Sequence, residues 1–501
     1  MNKYRYLIII LGLLTAVGCT KLQEDPKGIM APEGFFKTAS DVEAAVYGAY
    51  AQWCNVAMEK SFLLMLMLRG DMVDIGDLNT NGDRISINNF QLDSYNSLVN
   101  DGWTHLYMCV SAANSAIKGA REIAGDMEEK NKLEAQARFI RAYSYYNLVR
   151  CFGAVPYLKL PIETTAALDT LGRMPVSNVY DEIIADLKFA KDNLPQRNTP
   201  SGVRNIATEG TAATVLADVY LTLKRYKEAA DEARFVINHA DQFDYHLEKD
   251  YQDLFNGNIE MQYALTEPIL TIDLKPGVGE GGYNPSDGLV NLTRVRDLAP
   301  RSLSVAVPSL KAYTSWDQRD YRRKVSFEDT VEMNGKRTAL VDANVRVPRP
   351  HIAKYFRYQG PLAGDDRESN HHYCLYRYAD VLLIAAEAIA ESEGPTQEAI
   401  GYVNQIRARA RFNGKINTAY PADVNPAIGK TDFIQVIREE RRLEFAFEFN
   451  RWYDIKRWDI IKETFTGPDS REPHEVNAND YLFPIPQREI DITGFEQNGG
   501  Y

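Results

Sequence analysis

One segment carries oxygen-bearing side chains at alternate positions, a spacing typical of metal ligands: Asp77, Asn79, Asn81 and Asp83. With Gly82 at the turn, this order copies the first half of a calcium-binding loop, in which such oxygens bind a hard cation. The twelfth position is Asn88 rather than a bidentate acid, and helical flanks are not evident. A polar Asn-Gly turn in a hairpin loop is the favoured interpretation, and calcium binding is the alternative hypothesis.

A second set of chemically capable residues is acidic. Glu440, Glu444 and Glu448 recur every fourth residue, which on a helix stacks three like charges on one face. Buried carboxylates without partners would each cost several kcal/mol, on the order of the stability of a whole domain. We therefore predict that these acids are structural partners of arginines from other segments. The candidate donors are Arg377, Arg407, Arg409 and Arg411.

The other reactive residue types form no recognisable catalytic or metal motif. The sequence has no nucleophile elbow, phosphate loop or dinucleotide-binding fingerprint. His371 and His372 are adjacent, but a zinc site would need two further ligands at fixed spacing. Four widely spaced cysteines form no Cys-x-x-Cys pair: Cys54, Cys109, Cys151 and Cys374. We expect free core thiols, with a Cys54–Cys109 bridge as the alternative.

The composition of the 501-residue chain argues against some classes of function. A formal charge of −12 argues against a nucleic-acid-binding protein, which needs a basic surface. The same charge argues against attraction to an anionic membrane surface. The apolar fraction is ample for a core, and the length suits either a few ordinary domains or one large helical domain.

The N-terminus has the features of an export signal. A positively charged start is followed by an apolar run at 7–17 that is too short to span a bilayer, and small residues then precede Cys19. This order resembles a bacterial lipoprotein signal, so we predict a signal peptide at 1–18, lipidation of Cys19 and a polar tether at 19–37. An ordinary secretory signal with an incidental cysteine is the alternative. Acyl chains would anchor the protein durably, because each buried methylene contributes about 0.8 kcal/mol.

Helical spacing of apolar residues recurs along most of the chain. It predicts helices or helix pairs at 41–53, 103–120, 132–152, 178–194, 209–240 and 377–410. Small residues at Ala217, Ala229 and Ala233 would let two helices approach closely, and Tyr220 would fill the gap, as in a tetratricopeptide repeat. Because one repeat leaves a face exposed, several should stack, and 41–53 with 103–120 and 132–152 with 178–194 are candidates for further pairs.

Local signals give more specific predictions for the two ends of the helical region. A capping box over 40–43 would start the first helix. Thr431 suits an N-cap, and nothing breaks the helical pattern from there to Trp458, so we predict one continuous closing helix. After it, the proline-containing stretch at 481–487 should form an extended tail.

Between 241 and 375 the helical period disappears, and 269–274 is predicted as a strand within a loop-rich stretch. The predicted fold is therefore mainly α, a tetratricopeptide-repeat-like helical scaffold with a loop-rich variable insertion that contains short strands. The predicted regions are an N-terminal helical repeat region (38–240), a variable ligand-binding insertion (241–375), and a C-terminal helical repeat with the closing helix and tail (376–501). Loop-rich insertions in rigid scaffolds commonly carry binding surfaces.

Several segments match one known family in order and over most of the chain: Cys19, 34–36 with 41–50, 137–153 with 155–156, 213–237, 377–380 with 386–387, 404–409, 440–444, 451–454 with 457–458, and 481–487. Together they resemble the SusD/RagB family of outer-membrane nutrient-binding lipoproteins. Two departures are small. Phe449-Asn450 is not the usual pair before Arg451, and Gly499 replaces a usual proline.

The resemblance implies a lipid-anchored helical protein on the outer leaflet of the outer membrane, with a variable half that holds ligand. Such a protein would capture an oligosaccharide without reacting with it and deliver it to a SusC-like TonB-dependent transporter, with no cofactor. Some relatives take peptides instead. A lipid-anchored scaffold that binds only protein, and a surface glycosidase with two acids about 5–9 Å apart, are further alternatives.

Sugar recognition needs exposed aromatic faces flanked by amide, carboxylate or guanidinium groups. The loop-borne candidates for ligand contact are Phe90, Tyr95, Asn96, Tyr283, Asn284 and Trp316. For each aromatic side chain, partial burial in the core is the alternative. The remaining tryptophans lie on helical stripes and are predicted to be core: Trp53, Trp103, Trp452 and Trp458.

Overall fold

The structure is a computed structural model that describes residues 36–58, 61–162, 171–198, 202–274, 287–296, 298, 301–333, 335–358, 369–466 and 476–501. Its α-helices are, in chain order, α1 (Ala39–Met58), α2 (Phe62–Arg69), α3 (Gly82–Asn88), α4 (Ser97–Glu122), α5 (Met127–Phe152), α6 (Val176–Asn193), α7 (Glu209–Thr222), α8 (Tyr226–Asn238), α9 (Ala240–Phe243), α10 (Ile259–Ala264), α11 (Gly288–Thr293), α12 (Leu310–Ser315), α13 (Tyr321–Ser326), α14 (Tyr378–Ser392), α15 (Gln397–Ala410), α16 (Lys430–Glu444), α17 (Arg451–Trp458), α18 (Ile461–Thr466) and α19 (Gln487–Thr493). Among these helices, none has the length and apolar character needed to cross a membrane.

The strands are β1 (Val73–Ile75), β2 (Pro268–Asp273), β3 (Ala306–Pro308), β4 (Phe327–Glu328), β5 (Thr330–Met333), β6 (Lys336–Ala339), β7 (His351–Ile352) and β8 (His372–Arg377). They form antiparallel pairs, β1 with β3, β2 with β8, β4 with β7, and β5 with β6. Short 3-10 helices lie at Tyr251–Phe255, Leu340–Asp342 and Ala478–Tyr481.

The long helices pack in pairs that stack on one another. Helix α1 packs against α4, α5 against α6, α7 against α8, and α14 against α15. Neighbouring pairs meet through contacts of α4 with α5, α6 with α7, and α8 with α14. The first two pairs are those predicted from the sequence, and the prediction of a mainly α, tetratricopeptide-repeat-like scaffold is confirmed.

The pair α7–α8 shows how the sequence produces this packing. Ala217, Ala229 and Ala233 are buried, and Tyr220 is buried beside them. Because methyl groups are the only side-chain atoms at these three positions, a larger residue there would overpack the interface and cost about 1–3 kcal/mol. Lys224 adopts a left-handed conformation with a φ of 57°, which ends α7 and allows the chain to turn into α8.

Helix α1 begins two residues earlier than the sequence suggests, so the capping box predicted over 40–43 is wrong. The Asp41 carboxylate accepts hydrogen bonds from the backbone N–H groups of Lys37 (2.9 Å) and Thr38 (2.8 Å). In return, the Asp41 N–H donates to the Thr38 hydroxyl at 3.3 Å. These backbone hydrogen bonds lower the pKa of Asp41, so the acid caps the helix in its charged form.

The insertion leaves the helical scaffold after α8 and returns at α14, which packs directly on α8. Strand β2 confirms the strand predicted at 269–274, and its partner β8 runs straight into α14. The Thr211 hydroxyl of α7 donates to the Ile269 carbonyl at 3.3 Å, and the Tyr378 N–H donates to the Glu267 carbonyl at 2.8 Å. The root of the insertion is therefore hydrogen-bonded to the scaffold.

The predicted continuous closing helix is wrong, because the chain breaks between α16 and α17. Helix α16 ends at Glu444, and Phe447 adopts a left-handed conformation with a φ of 66°. Helix α17 then begins at Arg451. The break takes Glu448 out of the helical register of Glu444 and places its carboxylate beside Lys354 as well as Arg377. The cap is also displaced, from Thr431 to Gly429.

The tail and the cysteines agree with the sequence-based predictions. The chain is extended from Leu482 to Pro486, where the Phe483 N–H donates to the Cys151 carbonyl at 2.8 Å. The four described cysteines form no disulfide, so the alternative Cys54–Cys109 bridge is absent. Burial raises the pKa of Cys151 to about 11, which keeps that thiol protonated and unreactive.

Candidate ligand-binding cleft

A buried ionic network joins the insertion to the scaffold. Its members, all buried, are Glu267, Asp320, Arg322, Lys354, Arg377, Arg409, Glu440, Glu444 and Glu448. Arg377 Nη1 lies 2.7 Å from Glu267 Oε1 and 2.6 Å from Glu444 Oε1. Its Nε lies 3.0 Å from Glu448 Oε2. One guanidinium at the start of α14 thus satisfies acids from both sides of the interface.

The insertion supplies two cations to this network. Arg322 in α13 lies 2.6 Å from Glu440 and 3.0 Å from Glu444. Lys354, which follows β7, lies 2.9 Å from Glu448. The insertion therefore supplies part of the counter-charge for the acids of the closing region, and Arg377, Arg407 and Arg409 supply the rest. The two regions depend on each other for charge compensation.

The network fixes the ionisation of its members. Burial alone would raise the pKa of Glu444, but Arg409, Arg377 and Arg322 hold it well below its ordinary value. For Lys354, burial is the largest effect and lowers the pKa to about 8, although Glu448 opposes this shift. Removing one partner from a buried ion pair leaves an uncompensated charge and costs about 3–5 kcal/mol.

Three of the four predicted arginine donors are confirmed. Arg377 and Arg409 bind the network acids as described, and Arg407 lies 2.8 Å from Glu440. Arg411 was predicted wrongly, because it pairs at 2.8 Å with Asp423, whose side chain is 60% exposed. At the end of α15 the helical rotation directs Arg409 inward and Arg411 outward.

Residues next to network members line a surface cleft of the insertion with a volume of about 410 Å³. The Tyr251 hydroxyl donates to a backbone carbonyl of α16 at 2.5 Å, and its neighbour Gln252 lines the cleft. Arg322 is flanked by Tyr321 and Arg323, and both of these line the cleft. The buried ion pairs therefore hold the cleft wall in place from behind.

The cleft combines aromatic faces with polar groups. Tyr358 is 48% exposed at its edge, and Tyr321 is half-buried in its wall. The Tyr321 hydroxyl donates to Asp250 at 3.0 Å, and burial, together with this carboxylate, raises the pKa of the phenol. The amide of Gln252 lies among the same lining residues. A cleft of this size lies within the range of about 300–1,000 Å³ that is usual for small-molecule sites.

Arg357 holds two walls of the cleft together rather than facing ligand. Its Nε lies 3.2 Å from Glu328, and its terminal nitrogens donate to the carbonyls of Lys324 (2.7 Å) and Phe327 (2.6 Å). All three nitrogens of the guanidinium are therefore used within the protein. This links the chain after β7 to α13 and β4, the two elements that carry the polar lining.

A second cavity of about 440 Å³ lies between α16, α17 and α12 and is lined partly by Trp458. The prediction that Trp458 is a core residue is wrong, because its indole is only half-buried, whereas the same prediction is confirmed for Trp53, Trp103 and Trp452. The ring of Trp458 nevertheless has the guanidinium carbons of Arg438, Arg451 and Arg457 within 5.2, 5.9 and 4.7 Å of its centroid. These cations compete with any sugar for the indole face, so the cleft in the insertion is the better candidate site.

Two of the aromatic side chains predicted to bind ligand belong to the core instead. Trp316 is 2% exposed and packs edge-on against Phe327, with ring centroids 5.3 Å apart. Phe90 is partly buried, with Phe465 at 4.7 Å between centroids and the Arg69 guanidinium carbon 3.9 Å from its ring. Both predictions are wrong as exposed platforms, because other side chains cover the rings.

Asn96 is also a structural residue. It is 2% exposed, and its side-chain oxygen caps α4 by accepting from the N–H groups of Leu98 and Val99. Its neighbour Tyr95 is 76% exposed, so Tyr95 stays a candidate for ligand contact outside the cleft. Tyr283, Asn284 and the predicted lipidation site Cys19 lie outside the described residues.

The oxygen-rich segment at 77–83 uses its side chains within the protein. The Asp77 carboxylate pairs with Arg296 and, at 3.1 Å, with Arg346. Asn81 caps α3, so the expected hairpin turn is wrong, and Asp83 accepts from the Ser97 N–H at 3.0 Å. The side chain of Asp77 also accepts from the Asn79 N–H. In the described parts of the chain, no cluster of three or more His, Cys, Asp or Glu side chains could hold a metal.

Two family models match this sequence, one after the other. The model of the SusD family matches residues 243–501. A model described as "Starch-binding associating with outer membrane" matches residues 38–221. Together they cover most of the N-terminal scaffold, the insertion and the closing helices.

Curated relatives extend over nearly the whole chain. The SusD-like protein P2 of Formosa agariphila is 42% identical, over 98% of this chain and 97% of the relative. The starch-binding protein SusD of Bacteroides thetaiotaomicron is 24% identical, over 74% of this chain and 73% of its own.

Solved structures share the fold. A SusD homologue from Bacteroides thetaiotaomicron has a TM-score of 0.82 at 23% identity, with 94% of this chain and 98% of that chain covered. A laminarin-binding SusD-like protein has a TM-score of 0.78 at 21% identity, covering 93% of this chain and 100% of that one. Surface glycan-binding protein A from Bacteroides thetaiotaomicron, in complex with laminarihexaose, has a TM-score of 0.74 at 19% identity, covering 92% and 99%. By its family-model match and its 42% identical relative, the chain belongs to the SusD family.

Proposed function

We propose that this protein binds an oligosaccharide in the cleft of the insertion and releases it unchanged. The observation that carries the proposal is the conjunction of exposed Tyr358 with amide and guanidinium groups in one cleft of about 410 Å³. A tyrosine ring offers an apolar face for the C–H surface of a sugar, and the polar groups would bind its hydroxyls. Relatives named as starch-binding and laminarin-binding proteins support this class of ligand.

The proposed role is binding without catalysis. In the described part of the chain, the carboxylates that line the cleft belong to the adjacent residues Glu328 and Asp329. Glu328 is paired with Arg357, and Asp329 accepts a hydrogen bond from the Tyr313 hydroxyl at 3.0 Å. A glycosidase needs two acids on opposite sides of the scissile bond, whereas these two are consecutive and engaged by protein groups. Incubation with glycans followed by a reducing-sugar assay tests this, and steady release of reducing ends would refute it.

We further propose that the protein is anchored to the outer membrane through acylated Cys19 and hands its ligand to a SusC-like TonB-dependent transporter. The signal at 1–18 and the family description that mentions the outer membrane support this. Mass spectrometry of the mature N-terminus should find acyl chains on Cys19. Purification of the tagged protein from its native membrane should bring down a β-barrel transporter.

Calorimetry of the soluble protein, starting after Cys19, tests ligand binding against a panel of glycans and a panel of peptides. Tyr358→Ala should weaken glycan binding by about tenfold or more, as expected for the loss of an aromatic contact. Tyr95→Ala is the matched control, because Tyr95 is also an exposed tyrosine but lies outside the cleft. If Tyr95→Ala abolishes binding and Tyr358→Ala does not, the cleft is the wrong site. Binding of peptides alone would replace the glycan with a peptide ligand.

A further inference from the structure

The charge of the cleft differs from that of the protein as a whole. The chain has a formal charge of −12. Among its described lining residues, the cleft nevertheless carries more cations than carboxylates: Arg323, Lys324, Arg337 and Arg357 against Glu328 and Asp329. A local basic surplus on an acidic protein concentrates anions at that place, because the field of nearby charges dominates over distant ones in salt.

The two carboxylates leave this surplus largely intact. Glu328 receives the Arg357 guanidinium at 3.2 Å and the Thr330 hydroxyl at 3.3 Å. Glu328 is thus paired with Arg357, whose three guanidinium nitrogens all donate to protein acceptors. Asp329 is bound by the Tyr313 hydroxyl. Among the described residues, the cleft therefore keeps three cations without an acidic partner: Arg323 and Lys324 on α13, and Arg337 on β6, which donates to the Thr330 hydroxyl.

Arg323 is held in a defined position even though it forms no ion pair with the described residues. Its guanidinium carbon lies 4.3 Å from the centroid of Tyr313 and 5.5 Å from that of Phe327. Its Nε is buried and has no hydrogen-bond acceptor within the described structure. Aromatic packing thus orients the planar group without using its donors, which lowers the conformational entropy that the side chain would lose when it binds a ligand.

The second cavity also has four cations among its described lining residues, but two of them are paired with carboxylates. Arg451 binds Asp71 through two nitrogens at 2.6 and 2.8 Å. Arg442 binds Glu439 in the same bidentate way at 2.7 and 2.6 Å. Half of its cations are therefore neutralised by well-aligned carboxylates. A basic residue count alone does not distinguish the two cavities, but the pairing of those residues does.

From this arrangement we infer that the cleft selects an acidic saccharide, one that carries carboxylate or sulfate groups, with the anion on Arg323 and Lys324. Guanidinium groups bind planar or tetrahedral oxyanions through paired hydrogen bonds, and such charge-assisted bonds are stronger than bonds to neutral hydroxyls. Tyr358 would take the apolar face of a neighbouring ring. This inference rests on the proposed function, glycan binding in the same cleft.

The test compares three oligosaccharides of equal ring number: a uronate oligomer, a sulfated oligomer and a neutral one. Calorimetry at about 50 and 300 mM NaCl should show at least one acidic ligand binding about tenfold or more tightly than the neutral ligand at low salt. That advantage should shrink at high salt. The two acidic ligands separate a carboxylate from a sulfate as the preferred anion.

Variants locate the effect. The double variant Arg323→Gln with Lys324→Gln should weaken binding of the acidic ligand by about tenfold or more and reduce its salt dependence. Arg438→Gln, which removes a cation from the second cavity, is the control and should leave affinity unchanged. Circular dichroism and urea unfolding verify that each variant is folded.

The outcomes separate the two proposals. If the neutral oligosaccharide binds as tightly as the acidic ones and Tyr358→Ala still weakens binding, the inference of an acidic ligand is wrong and the proposed function stands. If no oligosaccharide of either class binds, both fall. If acidic ligands bind but Arg438→Gln, rather than the double variant, removes the preference, the anion site is in the second cavity and the inference is wrong.

Discussion

Arg322 and Arg323 are neighbours in α13, and they illustrate two different uses of charge in this protein. Arg322 is fully buried and lies within 3.0 Å of carboxylates from Asp320, Glu440 and Glu444. Arg323 faces the cleft and packs on aromatic rings without an acidic partner in the described structure. The comparison teaches that buried charges here are matched to one another, whereas charges at the proposed ligand site are left available.

The strongest way to break this comparison is to remove the buried arginine. Arg322→Met should lower the free energy of unfolding by about 3–5 kcal/mol, because Glu440 and Glu444 lose a buried counter-charge. Urea denaturation followed by circular dichroism measures the change. Arg323→Met is the matched control and should cost about 1 kcal/mol or less, the value of a partly exposed cation–π contact. Equal losses in the two variants would contradict the distinction drawn between them.

A second prediction concerns the pH dependence of the network. Glu444→Gln should lower stability at pH 7 by about 3 kcal/mol, because Arg409, Arg377 and Arg322 lose their shared carboxylate. The folded-state pKa of Glu444 lies below its ordinary value of 4.5, so its contribution is complete above that pH and is lost as the pH falls. Urea titrations from pH 7 to pH 3 should therefore show the gap between wild type and variant narrowing in acid. A constant gap would show that the carboxylate is not the stabilising form.

A smaller effect is expected from a single hydroxyl group. The Tyr251 hydroxyl donates to the Glu444 carbonyl at 2.5 Å and accepts from Lys354 Nζ at 2.7 Å. Tyr251→Phe should cost about 1–3 kcal/mol, because it leaves both buried groups without this partner. Thermal unfolding measures the loss. Tyr358→Phe is the control, since its ring is largely exposed, and a similar cost in both variants would argue against the proposed role of Tyr251.

The smallest expected effect on stability comes from a comparison of two arginines at the end of α15. Arg411→Gln should change the free energy of unfolding by about 1 kcal/mol or less, because its partner Asp423 is mostly exposed to solvent. Arg409→Gln, two residues earlier, should cost several times more, since Arg409 is buried against Glu267 and Glu444. Chemical denaturation of both variants under the same conditions decides between them. A large loss from Arg411→Gln would show that exposure is a poor guide to the strength of these pairs.

The parts of this structure that depend on local periodicity could be predicted from the sequence. The helix pairs follow from the spacing of apolar residues, and the small residues Ala217 and Ala233 indicate the close packing of α7 with α8. The need for arginines around Glu444 follows from the physical cost of burying like charges, without knowledge of the fold. These inferences use either the spacing of neighbouring residues or the requirement that buried charges be neutralised.

The predictions that failed concern residues whose contacts lie beyond their immediate neighbours in the sequence. Arg322 is 118 residues from Glu440, in a region with no periodic pattern, so no local signal connects them. Trp316 resembles an exposed loop aromatic until Phe327 is placed against it. The break at Phe447 could not be predicted, because the apolar pattern of the sequence continues through it. Its stabilising contact, the ion pair of Glu448 with Lys354, involves a residue far away in the sequence.

The cleft itself was missed, although a signal was present. Tyr321 is followed by three basic residues, and Tyr358 directly follows Arg357, both in the stretch without helical period. Aromatic residues interleaved with basic ones in such a stretch fit the same chemical requirement that led to Tyr95 and Trp316. The sequence does not show that the segments around Tyr321 and Tyr358 lie side by side in the fold.

Helices α8 and α14 pack directly on each other, so the two ends of the insertion lie side by side and the scaffold is continuous without it. Each doubling of a loop joined in this way costs only about 0.6 kcal/mol of closure entropy. Evolution can therefore exchange or lengthen the recognition segment while the repeats continue to fold. Any replacement segment must still provide equivalents of Arg322 and Lys354, since without them the acids of the closing region would destabilise the frame.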